Sequence, residues 1–224
     1  MFGSRVGRRL LFITAASATA VALVPVAAAS ATQAAANPCP SCGHNLIVNS
    51  GAEKGKGVNS DTKVKVPGWK QAGSFTATLY TWSGGDVSPT TPGPKHRGKN
   101  YFYGGPNAAR STGTQVIKVA ARGISSGKVR YTLSGWLGGF DSQGDHAVLT
   151  ITFQNAKGKA VGSGHIGPVT EKQRKGNSEM LFRTHSGSVP AGTRSIRVKL
   201  VMTRTDGSDN DGLADNLSLV LKLK

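Results

Sequence analysis

An antiparallel β-sandwich of jelly-roll type, all-β and built as a single domain, is the fold the sequence predicts. Three observations carry it. Short apolar runs follow one another from Asn45 onward, separated by Gly, Pro, Asn and Asp. Within the runs apolar and polar residues alternate with period two, which gives each strand one buried and one wet face. No stretch of the region carries the spacing of a long helix.

The elements are read in order. NLIVN (45–49) opens the domain, and SFTATLYTW (74–82) aligns Phe75, Ala77 and Leu79. TQVIKVA (114–120) and KVRYTLSGWL (128–137) follow; in the second, Val129, Tyr131 and Leu133 share a face and Trp136 falls on the opposite one. AVLTITFQ (147–154) aligns Leu149, Ile151 and Phe153, and SEMLFRT (178–184) is shorter. RSIRVKLVMTRT (194–205) points Ile196, Val198, Leu200 and Met202 one way, and NLSLVLKL (216–223) does the same with four leucines. Roughly eight such strands make two packed sheets. Residues 84–110, rich in Gly and Pro, are expected to form a long irregular loop, and loops of that kind carry function.

Residues 1–36 are expected to be a cleaved signal peptide. Arg5, Arg8 and Arg9 precede the apolar run LLFITAASATAVALVPVAA, and small-residue cleavage boxes end at Ala29, Ala31 and Ala36. Cleavage after Ala36 leaves 188 of the 224 residues, removes three arginines and no acid, and takes the formal charge from +17 to +14. The expected product is a secreted monomer with no membrane span, consisting of a Cys-containing segment (37–44) and the sandwich (45–224). Its charge bears on partners and solubility rather than on fold. Cys39 and Cys42 are the only cysteines. Outside the cell a disulfide is the default for such a pair, contributing about 2 kcal/mol at best from so small a loop. A redox pair lacks its βαβ setting, and a zinc half-site with His44 lacks a second ligand pair.

The stretch NDGLADNLSL (Asn210 to Leu219) gathers carboxylates in a basic chain. Calcium takes six to eight oxygens from such groups. The spacing is not that of an EF-hand, because Ser218 stands where the bidentate Glu belongs. A polar turn between two strands explains the same residues without metal, and the stretch alone leaves both readings standing.

A second stretch bears on the choice. NLIVNSGAEKG, the turn VPGW (Val66 to Trp69) and the terminal ADNLSL together resemble the two ends of secreted galactose-binding-like β-sandwich modules, the fold of many carbohydrate-binding modules. The resemblance spans roughly residues 45–221, with YTLSGWLGGF, GPVT and VPAGTRSIRVKL in the middle. It implies a structural calcium held by Glu53 and Asp215; Asp211, among the oxygens of the acidic stretch itself, is a further candidate ligand. Ala52 departs from the pattern, which has an aromatic residue there.

Catalysis finds little support. Asp141 and Asp145 flank a loop with His146, an arrangement that self-capping turns also produce, and neither a G-x-S-x-G elbow nor an H-E-x-x-H helix occurs. The favoured function is a non-catalytic module binding a polysaccharide or cell-surface glycan, including anionic ones. Behind it stand an envelope or matrix adhesion protein and, further back, a secreted hydrolase. Nucleic acid is disfavoured, since Lys and Arg form no dense patch or known motif. For sugar contact the candidates are Trp82, Tyr101, Tyr103 and Trp136 as ring platforms, with Asn100 and Arg110 bonding hydroxyls. Gly104 and Gly105 are expected to let the ligand approach the backbone.

Overall fold

A computed structural model describes residues 1–3, 7 and 37–224, so the signal-peptide reading of residues 1–36 lies outside the described residues. Residues 37–224 form one compact unit. Its strands are β1 (Lys70–Ala72), β2 (Thr76–Leu79), β3 (Asn100–Gly105), β4 (Arg110–Lys118), β5 (Val129–Gly139), β6 (His146–Gln154), β7 (Ala160–Ile166), β8 (Glu179–Ser188), β9 (Ser195–Thr203) and β10 (Asn210–Leu223). They form two five-stranded sheets of order β1-β4-β9-β6-β7 and β2-β3-β10-β5-β8, and neighbouring strands in both run antiparallel. Among the described residues no helix is long and apolar enough to cross a membrane.

The alternation read from the sequence sets the core. Leu149, Ile151 and Phe153 of β6 and Ile196, Val198, Leu200 and Met202 of β9 face Leu133 and Leu137 of β5 and Leu217, Leu219 and Leu221 of β10, all fully buried. Each such side chain contributes about 1.5–3 kcal/mol by leaving water. Trp69, Phe75 and Phe102 close one end, with ring centroids 5.3–5.9 Å apart. The Trp69 indole N–H donates to the Asn49 carbonyl at 3.2 Å, so this ring packs and caps a turn.

Three departures matter. Residues 45–49 are not a strand: after an isolated bridge from Asn45 to Val220 they turn. The segment still follows β10, because the Asn45 side chain donates to the Leu217 carbonyl and accepts from the Leu219 amide, both at 2.9 Å. The acidic residues 210–215 are not a loop but the start of β10, with the register slipping between Asn210 and Leu213 and again between Asp215 and Ser218. Within the expected irregular stretch, residues 100–105 form the buried strand β3. Cys39 and Cys42 are disulfide-bonded.

Candidate functional site

The outer face of the second sheet is divided in two. Over its β2–β3 half lies the segment between β2 and β3, residues 80–99. Tyr80 and Val87 of that segment pack with Tyr101 and Tyr103 of β3, Leu213 of β10 and Met180 of β8 in a second apolar cluster. Arg97 fastens the segment to itself. Its Nε donates to the Pro94 carbonyl at 3.0 Å, and its two terminal nitrogens donate to the Ser88 and Thr91 carbonyls at 2.9 and 2.8 Å. The guanidinium lies 5.0 Å from the centre of the Tyr80 ring, a cation–π contact.

Tyr101 and Tyr103 therefore lie under a cover, 0% and 3% exposed, and cannot act as open ring platforms. Gly104 and Gly105 serve the chain's own packing. A Cβ on Gly104 would stand 2.2 Å from Asn210 Oδ1, and one on Gly105, where φ is +85°, would stand 2.2 Å from the Ser74 carbonyl. Asn100 is buried, its side-chain amide donating to the Ala52 carbonyl at 2.9 Å. Arg110 is exposed at the start of β4 in the other sheet, and Trp82 is half-buried in the cover, with its ring against Gly84 and Gly85. The candidate sugar contacts are thus scattered rather than assembled.

The cover reaches Met180 of β8 and one side of Trp136, and beyond them the β5–β8 half of the face is open. Trp136 of β5 is half-buried and lies directly across from Phe182 of β8, with ring centroids 5.7 Å apart. Phe182 is 50% exposed. Along the same two strands the pairs Ser134–Thr184 and Thr132–Ser186 continue outward, the second joined by a 3.1 Å hydroxyl contact. Sequence reasoning missed Phe182. The available signal was its place two residues before exposed Thr184 and four before exposed Ser186 in an alternating strand.

The carboxylates expected to share a calcium fall into two groups, Asp215 with Glu53 and Asp211 apart from them. Asp215, fully buried on β10, accepts a hydrogen bond from the Tyr80 hydroxyl at 2.9 Å and one from the Asn216 amide at 2.6 Å. Burial pushes its pKa up to about 8, and the nearby Glu53 charge adds to the shift. Glu53 Oε1 accepts the Lys99 and Asn100 amides at 3.0 and 2.8 Å. Both side chains converge on Gly51, where a Cβ would stand 3.4 Å from Asp215 Oδ1 and 3.9 Å from Glu53 Cγ. A buried carboxylate facing a second one, with no basic side chain bonded to either among the described residues, fits a hard cation.

Asp211 keeps other company. It accepts the Tyr103 hydroxyl at 3.1 Å, and its amide donates to Asp145 at 2.8 Å. Asp145 also accepts from Thr205 and Asp206 and so ties two loops, the capping role open to it in the sequence. Burial raises the Asp211 pKa to about 6 and raises that of Asp86 as well; Asp145, Asp209 and Asp61 push in the same direction. One Asp86 oxygen and the Tyr101 hydroxyl are buried here without partners. Among the described residues no three acidic, His or Cys side chains are grouped to hold a metal, so Glu53 and Asp215 would need backbone or amide oxygens to complete a shell.

No family model and no curated protein matches the chain by sequence. Solved structures do match. A cyclase from Fischerella sp. TAU in complex with 4-(1H-indol-3-yl)butan-2-one aligns with a TM-score of 0.52 at 13% identity, over 81% of this chain and 98% of that one. A family 16 carbohydrate-binding module aligns with a TM-score of 0.48 at 20% identity, over 79% of this chain and 99% of the module. The chain spans only 21% of the bacteriophage CBA120 tailspike protein 4 domain, which it matches with a TM-score of 0.46 at 18% identity. Carbohydrate-binding modules recur among these structures, and the likeness is one of fold: a two-sheet antiparallel β-sandwich.

Proposed function

We propose that the chain is a secreted, non-catalytic module that binds a glycan on the open half of the second sheet's outer face. The observation that carries this reading is the Trp136–Phe182 pair, two ring systems 5.7 Å apart with one half exposed, set among Ser134, Thr184, Ser186 and Thr132. Sugar C–H faces lie on aromatic rings, and sugar hydroxyls need directional partners of the kind these side chains offer. The neighbours' names support the class of ligand but not its identity. The leader-like first 36 residues support secretion.

The reading includes a structural calcium held by Glu53 and Asp215. The cation would neutralise two carboxylates that otherwise repel, one of them without access to water. Its part is to fasten the Gly51–Glu53 turn to the last strand; no chemical step is assigned to it.

The test is retention of residues 37–224 on a panel of neutral polysaccharides at high salt, where surface charge is screened. Retention on at least one polymer, lost in the Trp136→Ala, Phe182→Ala double variant and kept in Tyr101→Phe, supports the site. Equal retention of the double variant overturns it.

A further inference from the structure

We infer that the outer face of the first sheet is a second binding surface, for a linear anionic polysaccharide. Its five strands contain Lys70, Arg110, Lys118, Arg197 and Lys199, with His146 and His165, and not one Asp or Glu. The chain's carboxylates lie in the other sheet and in the connecting segments, so the charge asymmetry is spatial and is not a matter of composition alone.

Register arranges these groups in rows. One row runs Lys70, Thr114, Lys199, Thr150, His165 across all five strands. The next runs Val116, Arg197, Thr152, Ser163. Strands lie about 4.8 Å apart and same-face neighbours along a strand about 7 Å, so Lys70, Lys199 and Arg197 stand roughly 7–12 Å from one another. A shallow groove of about 300 Å³ opens between Lys70 and Arg197, floored by Thr112, Thr114 and Val116. It adjoins a second of about 550 Å³ that shares Lys70, Thr114 and Val116 and reaches Val48. Val116 is 58% exposed and Val48 47%.

Basic walls, rows of threonine hydroxyls and a methyl-lined floor match a polymer that carries repeated anionic groups on a backbone of hydroxyls and C–H faces. Single-stranded nucleic acid fits less well: it relies on ring stacking, and the one ring bordering these grooves, Trp69, is only 6% exposed. The surface lies on the sheet opposite Trp136 and Phe182, so it is independent of the reading above.

The test compares binding of residues 37–224 to polygalacturonate, a sulfated polysaccharide and single-stranded DNA at low and high salt. One variant carries Lys70→Gln, Arg197→Gln and Lys199→Gln. A control of equal charge carries Lys157→Gln, Lys159→Gln and Lys172→Gln, in exposed positions outside the rows. Losing three exposed charge contacts, each worth about a twofold change in affinity, the first variant is expected to weaken polysaccharide binding about tenfold and the control less than about twofold. Trp136→Ala is expected to leave it unchanged. Equal losses in the two triple variants would mean net charge alone binds, and would overturn the proposal. Tighter binding to DNA than to either polysaccharide would overturn the assignment of partner.

Discussion

Asp211 shows how one carboxyl group takes its character from its surroundings. Its pKa, raised by burial to about 6 from 3.8, means the folded protein holds a proton more tightly than the unfolded chain. The stabilisation from that proton is full below about pH 4 and is lost as pH rises through about 6. In calcium-free buffer the melting temperature is therefore expected to fall between about pH 4 and pH 7. Asp211→Asn, which keeps an acceptor for Tyr103, should make that fall smaller; an unchanged slope would contradict the assignment. The sequence showed that carboxylates crowd around Gly212, but not that they part into two groups. The register shift of β10 between Asn210 and Leu213 and the packing of Tyr80 and Tyr103 give Asp215 and Asp211 different neighbours, and neither feature is local.

Among the elements, the segment covering β3 decides which surface is left for a ligand. Its fastening by Arg97 relies on three donors aimed at three carbonyls within nine residues. Arg97→Met keeps much of the apolar stem but leaves those carbonyls without donors. It is expected to lower stability by about 1–3 kcal/mol and to open the segment to limited proteolysis between residues 83 and 99. A proteolytic pattern identical to that of the unaltered protein would count against the cover as described. Strands with one wet face were legible: β5, β6 and β9 came out within about two residues of their bounds, and Trp136 on the face opposite Tyr131. β3 was not, because NYFYGG is buried on both sides and so shows no alternation. Tyr101 and Tyr103 looked available for the same reason: their cover is a tertiary feature.

For the whole molecule, closure of the two ends is the issue. The first segment already lies against the last strand through Asn45, and the Leu217 amide donates to the Ser50 carbonyl at 2.9 Å. Calcium between Glu53 and Asp215 would complete that closure. At a concentration a hundredfold above its dissociation constant, a ligand specific to the folded state stabilises by about 2.7 kcal/mol, which in a domain of this size is roughly 5–10 °C. Removing calcium with a chelator is expected to lower the melting temperature by that amount. Glu53→Ala and Asp215→Ala should each abolish the dependence on calcium, whereas melting curves that coincide with and without chelator would exclude the metal. The fold class and the pairing of the two chain ends were legible because they rest on alternation and on motifs at both termini. The division of charge between the sheets was not, because it depends on which strands become neighbours.

That the open half of the second sheet's outer face binds glycan through Trp136 and Phe182 is open to a direct check by calorimetric titration. An oligosaccharide from whichever neutral polymer retains the protein would be titrated at high salt into the unaltered chain, the Trp136→Ala and Phe182→Ala variants, and Tyr101→Phe. The expected result is saturable binding that each alanine variant weakens by about tenfold or more and that Tyr101→Phe leaves intact. Binding unchanged in both alanine variants, or lost in Tyr101→Phe alone, would rule out this face as the glycan site.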